Sequence, residues 1–132
     1  MTIDHVGIVV SSLDGATAYY TTTFGLRAIN GRIVDPLQDV ELQFLEDDDG
    51  ARLELICPLS TESPSARALK QGGGLNHICY RVTDLESSMQ TLVDNGAKVV
   101  REPLPAVAFD GRRVAFLYTR QRELIEFVET SR

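Results

Sequence analysis

Two stretches, IDHVGIVV at residues 3–10 and LNHICYRV at 75–82, are rich in apolar and β-branched side chains. Each predicts a strand. A helical spacing follows both. In TDLESSMQTLVDNG, residues 83–96, the side chains of Leu85, Met89, Leu92 and Val93 share one helical face, with Thr83 or Asp84 as N-cap and Gly96 as the stop. In SLDGATAYYTTTFG, residues 12–25, Leu13, Ala16, Thr17, Tyr20 and Phe24 make a similar stripe that ends at Gly25. Extended segments come next, at 28–34, 40–46 and 52–57 in the first half and at 97–102, 112–118 and 123–128 in the second. EDDDGA at 46–51 reads as a hairpin turn and lacks the ligand spacing of an EF-hand loop. Residues 58–74 read as a linker: PLSTESP, a short helical piece SARALK, then GGG.

The halves are copies. With a shift of 72 residues (77 − 5), His5 meets His77, Val10 meets Val82, Leu13 meets Leu85, Phe44 meets Phe116, Leu45 meets Leu117 and Glu54 meets Glu126. Neighbouring positions agree in kind: Ile3 with Leu75, Asp4 with Asn76, Leu53 with Ile125, Leu55 with Phe127, Ile56 with Val128. The expected architecture is therefore α+β: two βαβββ modules, 1–57 and 75–132, in a single domain 1–132, that cover or extend each other.

The matched polar residues carry the chemistry. His5 and His77 are the chain's two histidines. On a strand, side chains alternate, so Glu54 points away from Leu53 and Leu55, and Glu126 away from Ile125 and Phe127. Approximate two-fold symmetry would bring His5, Glu54, His77 and Glu126 to one point. Two imidazoles and two carboxylates suit one divalent ion with open positions: Zn²⁺, or Co²⁺, Ni²⁺, Mn²⁺ or Fe²⁺ in a six-coordinate version.

Composition narrows the rest. The 132 residues suit one domain with a core. A net charge of −6 argues against nucleic acid as a partner. No apolar run approaches membrane-spanning length, and the N-terminal stretch MTIDHVGIVV has no signal-peptide pattern, so the cytoplasm is expected. Cys57 and Cys79 form no CxxC pair and are expected to be reduced. Arg101, Arg112, Arg113, Arg120 and Arg122 gather in the last third, either as solvated positions or as a patch for an anionic group. Tyr80, Phe109 and Tyr118 are read as core and loop packing, with a ligand-lining role as the alternative.

These residues resemble the vicinal oxygen chelate superfamily, which includes glyoxalase I, extradiol dioxygenases, bleomycin- and fosfomycin-resistance proteins and methylmalonyl-CoA epimerase. The resemblance spans nearly the whole chain. DHVGIVVSSLDGATAYYTTTFGL, LELICPLSTESPSARALKQGGGLNHICYRVTDLE and GRRVAFLYTRQRELIEFVE are most similar to the epimerase branch. It implies metal ligands at His5, Glu54, His77 and Glu126, the position of Glu54 being commonly Gln or Glu. It also implies a homodimer acting on a small carbonyl or acyl-CoA-like substrate. The chain departs from the epimerase pattern at Tyr118 and Thr119, where His and Pro are usual, in the apolar loop PLPAVAFDGRR, and at Leu42, where some epimerases place a second glutamate. Glu41 and Gln43 flank Leu42 and alternation turns both to its opposite face.

The reaction expected from this set is proton removal next to a carbonyl by Glu126, with Glu54 as partner and Glu41 as a third candidate. Three classes remain: an isomerase or epimerase of a 2-substituted acyl thioester, a glyoxalase-type lyase or dioxygenase, and a small-molecule sequestering protein.

Overall fold

A computed structural model describes residues 1–130. The chain forms two compact units. One is His5–Asn76. The other joins Met1–Asp4 to the segment that begins at His77.

The first unit carries most of β1 (Thr2–Val9), then α1 (Leu13–Phe24), β2 (Arg27–Ala28), β3 (Ile33–Asp35), β4 (Val40–Glu46), β5 (Arg52–Pro58) and α2 (Pro64–Lys70). Here β1 runs parallel to β5, β5 antiparallel to β4, and both β2 and β3 pair antiparallel with β4. Ile8, Leu13, Leu45 and Leu55 form the core under α1, with Val10, Ala16, Tyr20 and Leu26 packed against it. The start of α1 is fixed by Ser12, whose hydroxyl accepts from Gly15 N at 3.1 Å. Its end is fixed by Gly25, which adopts φ 70° and so reverses the chain where a side chain would be strained. The expected strand over 28–34 is instead two short pieces. Asn30 interrupts it by turning inward: its Oδ1 accepts from Phe44 N at 3.2 Å, and its backbone oxygen accepts from Gln43 Nε2 at 2.5 Å. The EDDDGA turn forms as expected, with Asp47 Oδ1 accepting from Asp49 N and Ala51 N at 2.9 and 2.8 Å. In the GGG stretch, a Cβ on Gly73 would sit 2.9 Å from Val9 O, so that close approach requires glycine.

The second unit carries most of β6 (Gly74–Val82), then α3 (Leu85–Asp94), β7 (Lys98–Pro105), a short 3₁₀ turn (Val107–Phe109), β8 (Arg113–Tyr118) and β9 (Leu124–Glu129). β6 runs parallel to β9, and β8 lies antiparallel to both β9 and β7. Asp84 caps α3, accepting from Ser87 N at 3.0 Å. Val82, Leu85, Met89, Ala97, Ala115, Leu117, Ile125 and Phe127 make the core beneath α3. Asp4 belongs here too, with its carboxylate 3.8 Å from the Arg81 guanidinium.

The helical stripes are narrower than their spacing predicts. Phe24 is 60% exposed at the last turn of α1 and Val93 is 39% exposed on α3. Their neighbours Tyr20 and Leu92 still pack against the two cores, so only one edge of each stripe faces solvent. Among the described residues the architecture is α+β, a mixture of parallel and antiparallel strand pairs with three α-helices.

Candidate metal centre

Register decides which side chains of the first unit share a face. Glu54 on β5 lies beside Gly7 on β1 and opposite Phe44 on β4. Alternation then puts His5, Gly7 and Val9, Glu54 and Ile56, and Leu42 and Phe44 together on the face opposite the α1 core. His5 is 1% exposed and Glu54 6%, and His5 Nε2 lies 3.3 Å from Glu54 Oε1. A carboxylate this buried is costly without a donor or cation beside it.

The second unit repeats the arrangement 72 positions later. Glu126 on β9 lies beside Cys79 on β6 and opposite Phe116 on β8. His77 is 5% exposed and Glu126 3%, and His77 Nε2 lies 3.2 Å from Glu126 Oε1. Within each unit the histidine and glutamate predicted as ligands are therefore in contact. Each unit thus holds a buried imidazole beside a buried carboxylate, His5 with Glu54 and His77 with Glu126, donors of the kinds a metal ion takes. Two imidazoles with two carboxylates fit a divalent cation, whose charge the two carboxylates balance.

Several other sequence candidates lie elsewhere. Glu41 pairs with Cys57, so it falls on the helix-bearing side of β4, where its carboxylate is 3.6 Å from Arg32. A surface cleft on that side, lined by Leu13, Asp14, Thr17, Ala18, Arg32 and Gln43, is crossed by the Arg32–Asp14 ion pair at 2.7 Å. Tyr80 packs on the α3 core beside Phe127, Phe109 is buried under the Arg112 guanidinium, and Tyr118 is 43% exposed. Packing is thus what the described contacts of Tyr80 and Phe109 provide.

Two of the clustered arginines have internal duties. Arg113 donates to both oxygens of Glu129 at 3.0 Å, and to Glu86 Oε1 at 2.7 Å. This hydrogen bond lowers the Glu86 pKa, and the two carboxylates raise that of Arg113. Arg112 donates to the backbone oxygens of Phe109 and Thr130 at 3.1 Å each. Both cysteines are free thiols. Burial, then the nearby Glu41 carboxylate, pushes the Cys57 thiol pKa up. Among the described residues, no helix is long and apolar enough to cross a membrane.

One contact is not apparent from sequence spacing. Phe44 and Phe116 align under the 72-residue shift, and each meets the histidine of its own unit edge-to-face at 5.4 Å between ring centroids. The strand between them, β5 or β9, hides this from local pattern.

Residues 4–116 match the family model of the glyoxalase/bleomycin resistance protein/dioxygenase superfamily. The chain is 32% identical over 120 residues to an ethylmalonyl-CoA/methylmalonyl-CoA epimerase of Cereibacter sphaeroides, covering 89% of this chain and 88% of that one. Its fold matches the crystal structure of methylmalonyl-CoA epimerase from Mycobacterium tuberculosis with a TM-score of 0.85 and 28% identity, covering 99% of this chain and 89% of that one. It also matches a variant of Streptomyces coelicolor methylmalonyl-CoA epimerase in complex with 2-nitronate-propionyl-CoA, with a TM-score of 0.82 and 26% identity, covering 100% of this chain and 99% of that one.

Proposed function

Because the chain belongs to the glyoxalase/bleomycin resistance protein/dioxygenase superfamily, we propose that it is a metal-dependent epimerase of a small 2-substituted acyl thioester, acting in the manner of methylmalonyl-CoA epimerase. Its family and its epimerase relatives make the chain an enzyme. The observation that carries the finer reading is the pair of buried imidazole–carboxylate contacts, His5 with Glu54 and His77 with Glu126, at matched positions of a repeat. In this reading all four residues hold one divalent ion: Co²⁺, Zn²⁺, Ni²⁺, Mn²⁺ or Fe²⁺. When bound, such an ion supplies electrostatic stabilisation of the negative charge that builds on a carbonyl oxygen.

The protein's own part is proton movement. Glu126 takes the proton α to the thioester carbonyl through a carboxylate oxygen, and Glu54 returns one to the opposite face. His5 and His77, whose Nε2 atoms lie 3.3 and 3.2 Å from Glu54 and Glu126, would share the ion with those carboxylates. Glu41, beside Arg32 on the helix-bearing side, takes no part. The working form is a homodimer in the cytoplasm, and the substrate is acyl-CoA-like.

The test has two stages. Protein purified without added metal is assayed for bound elements, alongside Glu126→Ala and His77→Ala. About one metal per chain in the wild type, lost in both variants, supports the ligand set. Solvent deuterium appearing at the α carbon of methylmalonyl-CoA then supports the epimerase. No metal after loading with Co²⁺ or Zn²⁺ would sink the centre and favour a sequestering role. Metal without exchange would leave a lyase or dioxygenase.

A further inference from the structure

In each unit, three strands present a histidine, a glutamate and a phenylalanine on one face. The triads are His5 on β1, Glu54 on β5 and Phe44 on β4, and His77 on β6, Glu126 on β9 and Phe116 on β8. Each glutamate is contacted by the histidine's Nε2, and each histidine ring stands across the phenylalanine ring. The interplanar angle is 77° for His5–Phe44 and 85° for His77–Phe116, with 5.4 Å between centroids in both.

Space-filling alone does not account for this recurrence. Phe44 is 6% exposed, whereas Phe116 is only half-buried. The residue beside the carboxylate also differs, Gly7 in one unit and Cys79 in the other. Burial and neighbours change between the copies, while the imidazole contact and its geometry do not. An imidazole has a broad torsion about its Cβ–Cγ bond, and metal capture needs its plane fixed so that the Nε2 lone pair keeps one direction. An aromatic ring fixes that plane through the attraction of a positive edge to a negative face, which an aliphatic side chain of similar bulk lacks.

We infer that Phe44 and Phe116 are positioning residues, each holding the imidazole of its own unit in the orientation that captures the metal. This rests on the metal-centre reading above. Phe44→Leu and Phe116→Leu keep apolar bulk and remove the aromatic face. In metal-free Phe116→Leu, the long-range ¹H–¹⁵N signals of the His77 ring broaden or shift while those of His5 stay as in the wild type, and Phe44→Leu shows the reverse. Competition titrations give Co²⁺ affinity roughly 10- to 100-fold weaker in each variant, the usual loss when a partner that orients a metal-bound histidine is removed. Phe116→Tyr, which keeps the aromatic face, restores both readouts. Phe127→Leu, a core change on the other face of β9, lowers the melting temperature and leaves both readouts alone. Unaltered imidazole signals in the two leucine variants, with Co²⁺ affinity within about twofold of wild type, would overturn the inference. Should the wild type bind no Co²⁺, the metal-centre reading fails, and the metal-free imidazole spectra alone decide the positioning role.

Discussion

Replacing Glu126 with glutamine removes one negative charge from a side chain that is 3% exposed and 3.2 Å from His77 Nε2, and it keeps the shape. The effect is sharpest as a change in metal-induced stabilisation. Metal at 100 times its dissociation constant stabilises the native state by about 2.7 kcal/mol. The chain's 132 residues, at about 2.1 cal/mol/K each, give an unfolding entropy of about 0.28 kcal/mol/K. Dividing one by the other, saturating metal raises the wild-type melting temperature by about 10 °C. If the variant binds about 100-fold more weakly, the same metal concentration stabilises it by only about 0.4 kcal/mol, or about 1.5 °C. Differential scanning calorimetry of both proteins, with chelator and with Zn²⁺, reads these shifts. The metal-free variant should melt no lower than the metal-free wild type, since an amide is cheaper to bury than a carboxylate. An equal Zn²⁺ shift in the two proteins would refute the placement of Glu126 among the ligands.

Glu41→Gln should leave metal stoichiometry and deuterium exchange at wild-type values, because Glu41 lies on the helix-bearing side of β4; a tenfold loss of exchange would show it to be a base after all. Leu55 is fully buried beneath α1, so Leu55→Ala should cost about 2–5 kcal/mol in a urea titration. Alkylation of Cys57 should be slow at neutral pH and accelerate only above the ordinary thiol range, because burial favours the protonated thiol; a fast rate at pH 7 would contradict that. Glu86 carries the opposite sign: its carboxyl is held below the usual range by Arg113, so stability from that contact is present above the unfolded pKa and lost as pH falls through the folded one. Arg113→Met should flatten this acid limb in a pH series of melting temperatures.

The repeat made the two halves legible. It aligned the histidines, glutamates and phenylalanines, and the observed pairings repeat with the same shift: Gly7 beside Glu54, Cys79 beside Glu126. Alternation alone turned Glu54 away from Leu55, and the α1 core contains Leu55 and not Glu54. Local pattern failed where a tertiary contact decides. Asn30 reads as strand until Phe44 N and Gln43 Nε2 claim it. Phe24 and Val93 have the helical phase of the stripes, but both stay exposed while Tyr20 and Leu92 pack against the cores. The His5–Phe44 contact needs β5 between its partners, and no spacing along one strand encodes that.

The placement of Asp4 with the second unit has a consequence for biosynthesis. Asp4 leaves the ribosome 77 residues (81 − 4) before Arg81, whose guanidinium its carboxylate finally approaches. At about 5–20 residues per second, that interval lasts on the order of 4–15 s. Residues 5–76 can collapse within it, while the chain just ahead of His5 stays without its counterpart. The Asp4–Arg81 contact thus closes only after the first unit has been synthesised, so the short piece ahead of His5 waits longer for its partners than the rest of its own strand, where Val6–Val9 pair with β5.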